Sequence, residues 1–233
     1  MMAEAKRDRA VKNIILAGNA VTAEILYSYI GSDSRYAVAG FTVDDAFVDK
    51  GSQFDRPTVA LSKLVETFPP DRHAVVMAMG YSNVNDDRAS MFTRLKAMGY
   101  AIETYLHPQA LIHSRHPIGE GSIVLPGAVV EPEVRIGADS LVWCNVTLAH
   151  HCTIGDHCWV ASGAVVSGKA NIGDNCFIGV NATIVNALSI GDHVIVGGGA
   201  LITKDAKAAS VHLTRSAEQI RFTSQDYAKH FGV

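Results

Sequence analysis

The chain lacks any run of basic residues: 20 lysines and arginines stand against 23 aspartates and glutamates, a net charge of −3 over 233 residues. Without a basic face, neither nucleic acid nor an anionic membrane surface is an expected partner. No stretch approaches the ~18 consecutive apolar residues of a membrane span. The opening MMAEAKRDRA is charged where a secretory leader would be apolar. No membrane insertion is expected, and a cytoplasmic protein is. A complete G-x-G-x-x-G is also missing, because the first candidate turn reads Gly18-Asn19-Ala20 and position 23 is Ala; a dinucleotide site of that type is therefore weakly supported.

What is present is a repeat. From Ile118 to Ile202 an aliphatic residue falls at every sixth position without insertion or deletion, through Val124, Val130, Ile136, Val142 and onward. Four residues after each comes a mostly small one, as at Ser122, Ala128, Ser140, Cys158, Ala164 and Cys176. Six does not fit the three-to-four spacing of an amphipathic helix. It fits a short strand plus a bend, one side of a solenoid coil. Ile-Gly recurs at 118–119, 136–137, 154–155, 172–173 and 190–191, a constant spacing of three sixes. Each coil is thus three-sided, its aliphatic and small residues point into a prism, and successive coils stack by parallel backbone pairing about 4.8 Å apart. Positions one coil apart in sequence become neighbours in space.

Cys152, Cys158 and Cys176 fall in the small inward slot and Cys144 outside it. Free buried thiols in a reducing compartment are expected. Asp156, Asp174 and Asp192, which follow the recurrent glycine, read as solvated corners. Trp143 and Trp159 each sit one residue before or after an aliphatic and are expected to meet a neighbouring subunit or a ligand.

The preceding segment has another pattern. After a charged tail, residues 1–10, the run Val11 to Ala17 reads as a buried strand, Gly18-Asn19 as a turn, and Ala23, Ile25, Leu26 and Ile30 as part of a helix. Tyr36 to Val43 is a second strand ending at Asp44-Asp45. This β-α-β unit implies a parallel sheet and a right-handed crossover. Pro57 to Phe68 suggests a strand end and a helix, Ala74 to Met79 a third strand before Gly80, Asp86 to Met98 a helix and Ala101 to Leu106 a last strand. The domains are expected at 11–108 and 109–205, with a capping segment at 206–233. Ligands of open α/β sheets bind where strands end, which singles out Gly18, Asn19, Asp44, Asp45 and Gly80. Carboxylates there suit ribose hydroxyls or base N–H groups better than phosphates.

The coil length also places a candidate reaction centre. His150 lies one coil below Gly168, where a missing side chain leaves an open pocket and an accessible N–H, and His151 lies one coil above Glu133. A base beside a bare backbone donor is what acyl transfer requires: one takes a proton from the nucleophile, the other receives the oxyanion. Glu133 is expected to orient or polarise either imidazole. His150, His151, His157 and Cys158 invite a metal reading, but His157 stacks over Asp139 on another part of the coil and Cys158 points inward. No metal is expected.

With these residues stated, the repeat resembles the left-handed parallel β-helix of the hexapeptide acyltransferases. The chain as a whole resembles the sugar acyltransferases that include bacillosamine and perosamine N-acetyltransferases and sialic acid O-acetyltransferases. The resemblance is carried by the hexads, by His150 to Asp156, by Asn175 to Ile184 and by Gly199 to Asp205. It implies a small Rossmann-like, parallel-sheet α/β domain that holds a nucleotide-linked amino sugar, followed by the β-helix. It also implies a homotrimer with a CoA thioester, acetyl-CoA or another acyl-CoA, lying between adjacent subunits. By that resemblance His150 is the general base and Gly168 the oxyanion donor, while Asn186, Gly198 and Lys204 contact CoA. Where several relatives carry a carboxylate after the base, this chain has His151. The expected activity is N-acylation of a nucleotide-linked deoxyamino sugar in surface-glycan synthesis. O-acylation, a γ-carbonic-anhydrase-like metalloenzyme and a non-catalytic trimeric scaffold are the alternatives.

Overall fold

The computed structural model describes residues 11–48 and 52–232; the tail expected at 1–10 lies outside them. Short aliphatic runs make the first strands because a parallel sheet buries both faces. Strand β1 (Lys12–Ala17) is wholly buried from Ile14 onward. Helix α1 (Val21–Gly31) buries Ala23, Leu26 and Ile30 along one side. Strand β2 (Tyr36–Val43) returns parallel to β1, pairing Tyr36 with Lys12 and Thr42 with Ala17. A short strand β3 (Ser52–Gln53) lies antiparallel to β4 (Arg56–Ala60). Then come α2 (Leu64–Thr67), β5 (Ala74–Met77) and α3 (Asp86–Ala97). The strand order is β3-β4-β2-β1-β5, parallel except for β3.

The hexads form a left-handed β-helix of very short strands in three parallel sheets, with four, seven and six strands. Partners stand one full coil apart throughout the regular part, as in Thr147 with Val165 and Leu148 with Val166. The prism core is the set of aliphatic and small residues read from the sequence, from Val124 to Ile202. At each corner one residue turns left-handed: Glu133, Asp139, Asn145, His151, His157, Lys169, Asn175, Asn181, Ala187 and His193 have φ between 48° and 64°. Such a conformation costs a non-glycine residue roughly 1–2 kcal/mol, so the corners persist because the stacked coils over-determine them.

Two polar ladders run up the prism. Ser122 and Ser140 donate to the carbonyls of Gly137 and Gly155 at 2.6 and 2.7 Å, and the Cys158 and Cys176 thiols do the same to Gly173 and Gly191. Asp156, Asp174 and Asp192 are exposed at the corners, as expected, and also accept the N–H groups of Ala138, Asp156 and Asp174 at 2.7–2.9 Å. The carboxylates satisfy corner donors that the bend leaves without a backbone acceptor.

The prism outruns the expected limits at both ends. Tyr105–Leu106, expected in the last strand of the α/β sheet, pairs with Ile123–Val124 as a prism strand, and only Ile102 bridges back to Val75. Leu106 and Ile112 already stand on the hexad grid. At the other end Val211–His212 pairs with Ile195–Val196, so the last coil is shorter than the regular ones. Beyond it, α4 (Ser224–Phe231) is capped by the Thr223 hydroxyl, which accepts the Asp226 N–H at 3.1 Å.

The α/β domain packs on the seven-stranded face. Ile123, Leu141 and Trp159, pointing outward from the prism, share one core with Ile14, Leu26 and Phe41. Trp159 is buried there and Trp143 lies against it with ring centroids 5.3 Å apart. Trp159 therefore meets this chain's own first domain, because strand face and domain face are both apolar, and the half-buried Trp143 packs at the edge of the same core. Helix α3 adds a polar clamp: the Arg88 and Asp139 side chains are both 1% exposed and pair at 3.2 Å. Arg88 also donates to the Cys158 carbonyl. His157 Nδ1 donates to the same Asp139 carboxylate at 2.8 Å.

Candidate active site

Because the strands stack coil on coil in register, the corner after the six-stranded face carries His150, Gly168 and Asn186 in one vertical column, with Lys204 on the coil above them. Backbone bonds tie the column, with Lys169 donating to His150 and Ala187 to Gly168, both at 3.0 Å. A Cβ built on Gly168 would stand 2.7 Å from Cε1 and 2.8 Å from Nε2 of His150. The imidazole thus occupies the space that the glycine leaves open, as the coil length requires. Among the described residues the Gly168 N–H makes no hydrogen bond, and neither does His150 Nε2.

His150 is held from two directions. Its backbone N–H donates to Glu131 Oε2 at 2.7 Å, and its Nδ1 lies 3.2 Å from Nδ1 of His151, with the rings at 83°. Glu133 corrects the expectation for it. The carboxylate is taken up by Arg115, 2.8 Å away, and by His116 at 3.1 Å, and no hydrogen bond joins it to the histidine pair. The backbone stacking of 151 on 133 is as expected, but the side chain turns down the prism toward the Arg115 and His116 side chains of the first coil. Sequence reasoning missed Glu131. Pro132, not Glu131, is the position that stacks under His150, so the coil length alone points past the glutamate.

Gly198 lies elsewhere. It stacks on Val180 at the corner between the seven- and six-stranded faces, its Cβ position 3.3 Å from the Val180 carbonyl. Asn186, Gly198 and Lys204 are all exposed.

The α/β loops form a separate site. Gly18, Asn19, Asp44 and Gly80 line a cavity of about 310 Å³ with Phe47, Met79, Ser82, Asp87 and Met91, where β1, β2 and β5 end. Gly18 has φ +134°, and a Cβ on it would lie 2.4 Å from the Ala78 carbonyl oxygen, so only glycine lets β1 leave the sheet here. Asn19 donates to the Phe47 carbonyl at 3.1 Å. Asp44 is gripped by both Arg94 Nη atoms, at 2.6 and 3.0 Å. Arg94 is far from Asp44 in sequence, on α3, and no local signal marks it. Asp45 does not join this cavity: it accepts the Ser62 N–H at 3.1 Å, and hydrogen bonds from Ser62 hold its carboxyl below the usual range. The turn after β2 sends consecutive side chains in opposite directions.

The two sites lie on opposite sides of the prism. His150 stands at the corner shared by the six- and four-stranded faces, whereas the α/β domain covers the seven-stranded face opposite. Among the described residues no group of three or more His, Cys, Asp or Glu could hold a metal ion, and no helix is long and apolar enough to cross a membrane.

Comparison with known proteins bears on the fold. Residues 133–168 match the bacterial transferase hexapeptide family (six repeats), and residues 169–204 match the hexapeptide repeat of succinyl-transferase. No curated protein matches the chain in sequence. Among solved structures, the acetyltransferase domain of PglB from Neisseria gonorrhoeae, in complex with acetyl coenzyme A, is 22% identical, with a TM-score of 0.76 over 87% of this chain and 96% of that one. A histidine-to-asparagine variant of perosamine N-acetyltransferase from Caulobacter crescentus, in complex with CoA and GDP-perosamine, is 18% identical, with a TM-score of 0.75 over 87% and 93%. WeeI from Acinetobacter baumannii is 24% identical, with a TM-score of 0.74 over 86% and 96%. The chain carries hexapeptide repeats of the bacterial transferase type and shares the two-domain fold of these proteins.

Proposed function

We propose that this chain is an acyl-CoA-dependent N-acyltransferase, using acetyl-CoA, that acylates the amine of a nucleotide-linked deoxyamino sugar. The observation that carries the reading is the His150 imidazole filling the space over Gly168, with Nε2 and the glycine N–H both unbonded. Similar folds bound to acetyl coenzyme A and to CoA with GDP-perosamine support it. The 310 Å³ cavity, at the lower end of ligand-site volumes, suits the nucleoside part of such a substrate.

In this reading the sugar amine attacks the thioester carbonyl carbon directly. A C–N bond forms as His150 Nε2 takes the amine proton; the Gly168 N–H receives the oxyanion; the C–S bond then breaks, and the proton passes to the CoA thiolate. Asn186 and Lys204, higher on the same column, and Gly198 at the next corner would contact the CoA arm. An acyl-enzyme is disfavoured, because the nearest thiol, Cys152, is fully buried and pushed up to about 12 by that burial. Since the α/β domain lies on the face opposite the His150 corner, the cavity of one subunit would serve the histidine of another, in a homotrimer. A cytoplasmic place in glycan synthesis follows from a CoA thioester and a nucleotide sugar as co-substrates.

The test is CoA release from acetyl-CoA with UDP-, GDP- and dTDP-linked amino sugars, and with their hydroxy counterparts, for the wild type and His150→Ala. Turnover only with an amino sugar, reduced about 10²-fold or more in the variant, is expected. Near-normal kcat in His150→Ala removes the base assignment, and turnover only with hydroxy sugars replaces N- by O-acylation.

A further inference from the structure

The contact between the two histidines has a direction that the geometry permits to be assigned. Nδ1 of His150 and Nδ1 of His151 are 3.2 Å apart, a separation that holds one proton. If His151 donated it, neutral His150 would carry its own proton on Nε2, the nitrogen that faces Gly168, and would present no lone pair there. If His150 donates it, Nε2 carries a free lone pair at the Gly168 corner. When Nε2 then takes a proton, the imidazolium keeps its Nδ1–H bond to an acceptor already in place.

We infer that His151 Nδ1 accepts the Nδ1–H of His150 and so fixes the tautomer in which His150 Nε2 is the base. This rests on the reading of His150 as the base. His151 is thereby a positioning residue whose own proton sits on Nε2. The remaining charged groups are placed to leave this contact alone. Glu131 is spent on the His150 backbone N–H; Glu133, one coil below, is bound to Arg115 and His116; Lys169, above, is exposed. The His150 imidazolium formed in turnover therefore meets a neutral hydrogen-bond acceptor where a carboxylate would supply a countercharge.

The left-handed backbone at His151, φ 62°, determines which replacements are informative, since Asp and Asn tolerate that conformation better than most residues. At this corner alanine is also accommodated, as Ala187 two coils above shows with φ 58°; the expected result for His151→Ala is a fall in kcat of roughly ten- to a hundredfold, with KM for acetyl-CoA within about threefold and the melting temperature unchanged. His151→Asp, which restores an acceptor and adds a countercharge, should recover turnover. It should also move the acidic limb of the pH profile to higher pH, because the carboxylate stabilises the imidazolium. In ¹⁵N-histidine spectra of the resting wild type, the His150 proton should be on Nδ1. The inference is overturned if His151→Ala keeps wild-type kcat and pH profile while His150→Ala is inactive, or if the spectra place the His150 proton on Nε2. If His150→Ala is itself fully active, it is the base assignment that has failed.

Discussion

Replacing Gly168 by alanine tests the site with the smallest possible change. The new Cβ would stand 2.7 Å from His150 Cε1, against the roughly 3.5–4.0 Å at which carbon atoms rest. The imidazole must retreat by about 1 Å to restore that separation, and it can, since it is an exposed side chain with open solvent on one side. The backbone has no such problem, because Gly168 is not among the residues at positive φ and its N–H is retained in alanine. Misplacing a reacting group by about 1 Å costs about 10²-fold in rate, while a glycine-to-alanine change at a compatible backbone adds about 0.4–1 kcal/mol of stability. The expected outcome is thus a Gly168→Ala enzyme that melts at or slightly above the wild-type temperature and turns over about a hundredfold more slowly. Steady-state CoA release and a thermal melt on the same preparation measure both. Full turnover would refute the claim that His150 works from its position over Gly168. A melting temperature lowered by several degrees would show that the glycine serves the prism and not the histidine.

Two further outcomes concern the scaffold. Arg88→Ala strands the buried Asp139 carboxylate with only His157 as partner, and breaking a buried ion pair costs about 3–5 kcal/mol. Urea denaturation should show a loss near the lower end of that range, and a change under about 1 kcal/mol would mean that the clamp is not what joins the domains. The thiols should separate by burial: Cys144 is half-buried while Cys152, Cys158 and Cys176 have no exposure, and burial pushes Cys152 up to about 12. A colorimetric thiol titration in mildly alkaline buffer should therefore find no more than one reactive cysteine in the native protein and all four after unfolding.

The prism was legible in the sequence because a coil that repeats without insertion turns counting along the chain into a distance in space, and the pairings of Thr147, Val165 and Thr183 follow it. Its ends were harder to read: the grid continues through Leu106 and Ile112, but one short strand resembles the sheet domain it adjoins, and the shortened last coil breaks the period. The column of His150 and Gly168 was placed by backbone stacking alone. Side chains long enough to leave their own level were not, so Glu133 turned to Arg115 and His116 while Glu131 reached the His150 backbone N–H. Long-range partners such as Arg94 on Asp44, or Arg88 on Asp139, have no period to betray them. The domain covering Trp159 was invisible for the same reason, since an outward tryptophan looks alike whether its partner is another chain or an earlier part of its own.

The opposed placement of the cavity and the His150 corner changes what counts as the functional unit. On the proposed reading no single chain owns a complete reaction centre; each lends a cavity in one direction and a histidine in the other. A defect would then be counted per contact between subunits and not per polypeptide. A chain with a ruined histidine would still present its substrate to a sound neighbour, and assemblies that mix defective copies would keep a share of their activity.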